Sequence, residues 1–199
     1  ALKYTTVAVA VFVMAAAPVF AALLAKIILR EQTHRRGWIS IGLAFVGIAI
    51  MVGGRLQVGD LFGVSVAILG IMFFGAYAVS LRIGKNLDMT PAVLCGGFVG
   101  TLISCGMSFA TGVGLLIPLA EALWCSALGV VQLGLGSVLF ALAAQTVPAV
   151  QLTLFSLGEP VLAPIWVLIA FNEIPTGTTL VGGGILFLAL ALQLFDRSN

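Results

Sequence analysis

Glu159 is the side chain in this sequence that asks most of its surroundings. It lies in PAVQLTLFSLGEPVLAPIWVLIAFNE, residues 148–173, an apolar run long enough to cross a hydrocarbon layer of ~30 Å at ~1.5 Å per residue. An ionised carboxylate at that depth costs about 2.5–3.5 kcal/mol on insertion scales. Pro160 and Pro164 each remove a backbone donor and leave bare the carbonyl four residues back, those of Ser156 and Pro160. On a straight helix Glu159 shares a face with Leu152, Phe155, Ser156, Ala163 and Trp166, so a carboxyl, a hydroxyl and an indole fall on one stripe. Two readings fit that stripe. In one, Glu159, Ser156 and Trp166 line a cavity in which the carboxyl contacts substrate or takes up a proton. In the other, Glu159 is a neutral group hydrogen-bonded to a neighbouring helix's backbone, and Trp166 faces the core or the lipid.

Two further polar groups sit inside apolar runs. Gln132 lies on a stripe of small residues, Cys125, Gly129, Gly136 and Ala143, which either admits a neighbouring helix, with Gln132 as an interhelical donor, or leaves room for a ligand. Tyr77, near the end of its run, is an interfacial tyrosine or a member of the same site. Cys95, Cys105 and Cys125 have no spacing that pairs them or makes them metal ligands, and the single histidine, His34, lies in a basic loop. Neither a nucleophile with its base nor a metal cluster is legible, so an enzyme is not expected, nor any cofactor.

The elements that hold these residues are membrane spans. Charged residues are 8% of the chain, against ~25% in a soluble domain, and hydrophobic residues are 61%. A net charge of +2 with scattered cations excludes a nucleic-acid binder. Seven runs are expected, over about 5–29, 37–52, 61–81, 90–111, 121–145, 148–173 and 177–195, in an all-α polytopic bundle. Gly96 and Gly100 have the spacing that lets helix backbones approach closely. Loops alternate sides, so Arg30, Arg35, Arg36, Arg82, Lys85 and Arg197 share one side and Lys3 and Arg55 the other. The basic side, with the C-terminus, is expected to be cytoplasmic, in a multi-pass protein of the cell membrane.

The strongest organisational signal is a repeat. Shifting the sequence by 142 positions superposes Pro18 on Pro160, Val19 on Val161, Ala21 on Ala163, Ile27 on Ile169 and Glu31 on Glu173, then Gly42 on Gly184 and Phe45 on Phe187. The paired prolines and glutamates carry the match, because apolar residues coincide often. The helix of Pro18 runs outside to inside on the charge argument and that of Pro160 the reverse, so the repeats are expected to be inverted, with a site between them. Pro18, Pro160 and Pro164 are expected to kink their helices. Glu31 and Glu173 end helices, where Glu31 is expected to pair with Arg35 or Arg36. With a second repeat starting near Gly59, its partner start falls before Ala1, so about 80 residues are expected to precede this sequence, a complete seven-helix protein being the rival reading.

ALKYTT running into a helix with central Pro18, the helix-ending Glu31, GAYAVSLR with Tyr77 and Arg82, and LGEPVLAPIWVLIAFNE together resemble the EamA-like family of the drug/metabolite transporter superfamily. The resemblance implies two inverted five-helix halves. Residues 1–54 are then the end of helix 3 and helices 4 and 5 of the first, and 59–195 are helices 6–10 of the second, a fragment with about seven transmembrane helices. Asn172 and Pro175 depart from the residues usual around the second helix-ending glutamate. The implied activity is secondary transport, by alternating access, of small metabolites, amino acids or drugs, with export as the usual direction. No nucleotide-binding motif is present to power it. A helical bundle with a structural or receptor-like role and no transport is the alternative. Expected partners are a small-molecule substrate and the lipid bilayer, with a homodimer left open.

Overall fold

The computed structural model describes residues 12–52, 61–112, 118–172 and 175–194, and the described residues are helices joined by short turns. They pack as two compact units, Ala1–Ile83 with Pro148–Asn199, and Gly84–Val147. These units are defined by packing and cut across the expected repeats. Lys3, Arg55, Glu173 and Arg197 lie outside the described residues.

In the first unit, α1 (Ala17–Leu24) starts with Pro18 in its first turn, where a missing N–H costs nothing, and runs on in π register over Ala25–Leu29. Just before it the chain is held by tight bonds, Ala15 N–H to Phe12 O at 3.2 Å and Ala16 N–H to Val13 O at 2.9 Å. A five-residue link then leads to α2 (Arg35–Val52), and α3 is Leu61–Ile83. Gly75 of α3 meets α1 closely: a Cβ there would lie 3.1 Å from the Ala21 nitrogen. The last run is divided into α6 (Ala149–Ser156) and α7 (Gly158–Phe171), and α8 (Gly177–Leu194) follows.

The most extensive helix pair is α2 with α8. A Cβ on Gly47 would lie 2.8 Å from the Gly182 carbonyl oxygen and 2.9 Å from the Leu186 nitrogen, while one on Gly182 would meet the Gly47 carbonyl and Met51. Moving four residues forward on α2 thus moves four back on α8, and the helices are antiparallel. Small residues at the crossing bring the backbones into contact, which is what holds helices together where lipid offers as good an apolar environment as a neighbour does.

The 142-residue shift reappears in the structure. It carries Arg35–Val52 onto Gly177–Leu194 end for end. It carries buried Ser40, Ala44 and Gly47 onto buried Gly182, Leu186 and Ala189. The two described non-glycine residues with positive φ are Arg30 (56°) and Asn172 (53°), again 142 apart, each ending its helix in the left-handed region. Antiparallel helices meeting through equivalent residues are related by a two-fold axis across their length.

The second unit holds α4 (Thr90–Ala110) and α5 (Leu119–Thr146), whose middle, Leu128–Leu135, is π-helical. Thr90 N–H donates to Asp88 Oδ1 at 2.9 Å; bonds from the Thr90 side chain and then its backbone hold the Asp88 carboxyl below its usual range. Thr101 and Thr111 hydroxyls donate to the Gly97 and Met107 carbonyls, so they are satisfied within α4. No residue of α4 is buried, and added Cβ atoms at Gly96 and Gly100 would meet nothing within 4 Å. The close packing expected of those glycines is therefore not made among the described residues.

Among the described residues, five helices are long and apolar enough to cross a membrane, Phe12–Leu29, Arg35–Val52, Phe62–Ile83, Thr90–Ala110 and Leu119–Thr146, and Gly177–Gln193 is a shorter apolar helix. The remaining expected span, 148–173, is not one helix. The physical reason is Pro160: without its N–H the ladder cannot pass Ser156, and the chain turns at Leu157.

Candidate functional site

That turn reshapes the stripe on which Glu159 was expected. Leu157 has φ −72° and ψ −3° and donates its N–H to the Leu154 carbonyl at 2.9 Å, which closes α6. Glu159 consequently sits in the first turn of α7 rather than within a continuous helix. Amides in a first turn have no partner in their own helix, and the positive end of the helix dipole favours a carboxylate there. Glu159 is exposed, and among the described residues its carboxylate has no hydrogen-bond or ion-pair partner. The break at Ala15–Ala16 before α1 is the repeat mate of this one, and Pro18 and Pro160, three residues beyond the first break point in each case, are both buried.

The other expected residues are placed as follows. Ser156 is half-buried on the α6 side of the break, and its hydroxyl donates to the Leu152 carbonyl at 3.2 Å. The hydroxyl is thus engaged within α6. Trp166 lies two turns along α7, 63% exposed, and Pro164 is inside that helix. Tyr77 is half-buried on α3. Gln132 belongs to the second unit, in the π-helical stretch of α5, and is exposed together with Cys125, Gly129 and Gly136. Ser156 and Glu159 therefore flank one interruption, whereas Tyr77 and Gln132 stand on other helices.

Sequence reasoning paired Glu31 with its neighbours Arg35 or Arg36. Instead Arg82 Nε donates to Glu31 Oε1 at 3.1 Å, joining the end of α1 to the end of α3. Arg30 ends α1 in the left-handed region, and Glu31 follows it with a partner 51 residues away in the chain.

A cavity of the first unit lies away from Glu159. It measures about 290 Å³ and lies beside Glu31, between the link after α1, the start of α6 and the end of α8. None of Glu159, Ser156, Trp166, Tyr77 or Gln132 lines it. Sequence reading missed Gln151 and Gln193, which do, although two carboxamides inside apolar runs were a visible signal.

Known proteins match this arrangement. A profile described as the EamA-like transporter family matches residues 1–53 and 61–195. No curated protein matches the sequence. A solved crystal structure that is 18% identical superposes with a TM-score of 0.85 over 100% of this chain and 70% of that chain, and at this identity the likeness concerns the fold alone.

Proposed function

Since this chain belongs to the EamA-like transporter family, we propose that it is a secondary transporter that exports small metabolites, amino acids or drugs across the cell membrane by alternating access. Residues 1–54 and 59–195 belong to two inverted repeats. The end bearing Arg30, Arg35, Arg36 and Arg82 faces the cytoplasm, as does the C-terminus. The work is translocation rather than catalysis.

The supporting observation is the broken helix at Leu157, which sets an unpaired carboxylate, Glu159, at the head of a half-helix. Discontinuous helices of this kind leave polar backbone at membrane depth, tolerated where it lines a cavity. Glu159 is assigned to contact the solute or carry a proton. Ser156 donates to the Leu152 carbonyl, Trp166 and Tyr77 are assigned to solute contact within the first unit, and Gln132 is assigned to solute contact within the second. Pro18, Pro160 and Pro164 shape the bends.

Counterflow of a radiolabelled metabolite panel in proteoliposomes tests the assignment. Wild-type protein is expected to exchange at least one solute, and Glu159→Gln to fall to background while inserting normally. Exchange at the wild-type rate in Glu159→Gln would remove the carboxylate from the mechanism; absence of exchange for every solute in wild-type protein would count against transport itself.

A further inference from the structure

The cavity beside Glu31 has a wall that packing alone does not require. Gln193 is 3% exposed and its amide oxygen accepts no hydrogen bond; the buried amide oxygen of Gln151 is also unpaired. A buried polar atom left without a partner costs about 1–3 kcal/mol, and here two share one cavity. The repeat mate of Gln193 is Met51 on α2, so at the equivalent place in the bundle a thioether fills the volume with no polar atom to satisfy. The amide is thus a departure from what the seam needs.

The remaining lining has a consistent sign. Glu31 contributes its carboxylate, Thr33 and His34 add polar side chains, and among the described residues no lysine or arginine lines the cavity. Arg82 engages Glu31 Oε1. Rotation about the last side-chain torsion of either glutamine turns its oxygen into the space, because the terminal amide is a single planar group. The cavity can therefore present three acceptor groups, from Glu31, Gln151 and Gln193, to something that carries donors.

We propose that this cavity binds a small primary ammonium, whose three N–H bonds match those three acceptors. The site is separate from Glu159 and does not depend on the transport reading.

Titration calorimetry on the full-length protein in lipid nanodiscs, with empty nanodiscs subtracted, tests it with ethylammonium as probe. Tetramethylammonium keeps the charge without donors, and ethanol keeps a hydroxyl without charge. Ethylammonium is expected to bind, with both controls weaker by about tenfold or more, the loss expected for hydrogen bonds to a charged group. Gln193→Leu and Gln151→Leu are each expected to weaken ethylammonium by about tenfold, with a melting temperature equal to or above wild type because an unpaired buried atom is gone. Gln193→Met, which copies Met51, serves where the leucine variant does not fold. Glu159→Gln is expected to bind as wild type does, so failed transport and failed binding are read separately. No binding of ethylammonium, equal binding of tetramethylammonium, unchanged affinity in both glutamine variants, or loss of binding in Glu159→Gln would each overturn the proposal.

Discussion

The segments Ala17–Val52 and Glu159–Leu194 are two copies of one design, and they differ in instructive ways. Both begin on a buried proline after a broken turn, both end their first helix on a left-handed residue, and both continue into a helix with the same buried stripe. Yet the first copy closes α1 with a π-helical turn, where Arg30 and Glu31 amides both reach the Ala25 carbonyl, and the second closes α7 in ordinary register from Asn172 to Leu168. The first puts Ser40 where the second has Gly182, and Met51 where the second has Gln193. What is shared is backbone path and small size at the seam. What differs is the polar chemistry, which is where a duplicated scaffold can acquire distinct ends.

The seam itself offers the largest way to break this likeness. Gly182→Leu drives a side chain into the Gly47 carbonyl and Met51, which are backbone or packed against it, and about 3 kcal/mol or more of destabilisation is expected. Gly42→Ala and Gly184→Ala, a repeat-related pair with nothing within 4 Å of the added methyl, are expected to be silent. Thermal melts in detergent decide it; equal effects at the two kinds of glycine would mean that α2 and α8 do not cross there.

The ion pair tests one copy only. Arg82 is 12% exposed and Glu31 31%, between a surface pair and a buried one, so Glu31→Gln is expected to cost about 1–2 kcal/mol. Arg82→Met is expected to cost less in that background than it does alone. A double-mutant cycle with no coupling would dissolve the link between α1 and α3.

The smallest expected effect makes the two copies more alike. Arginine at φ 56° bears a steric penalty that asparagine largely escapes, so Arg30→Asn is expected to stabilise by about 1 kcal/mol, while the reverse change at Asn172 destabilises by a similar amount. Opposite signs in the two melts carry the prediction, and equal signs refute it.

Much of the fold was legible in the residues. Hydropathy marks the spans because every backbone group in lipid must be satisfied within its own helix, and the 142-residue shift was visible from one proline and one glutamate in each copy. The break at Leu157 was only half legible: Pro160 signals a lost bond, but whether a helix kinks or stops depends on how the freed carbonyls are served. The Arg82 partner of Glu31 was out of reach, since a contact 51 residues away in the chain depends on how α1 and α3 pack. The candidate site is the least legible part. Spacing on an unbroken helix placed Ser156, Glu159 and Trp166 on one face, and an interruption between the first two annuls that arithmetic.

The broken turns at Ala15–Ala16 and Leu157 have a mechanical corollary. A rod missing rungs at one level is most compliant at that level, whereas the glycine-to-glycine seam between α2 and α8 has no slack to give. Were either limb to swing, the torque would be taken up at its own joint, and the central spine that both share would stay unbent.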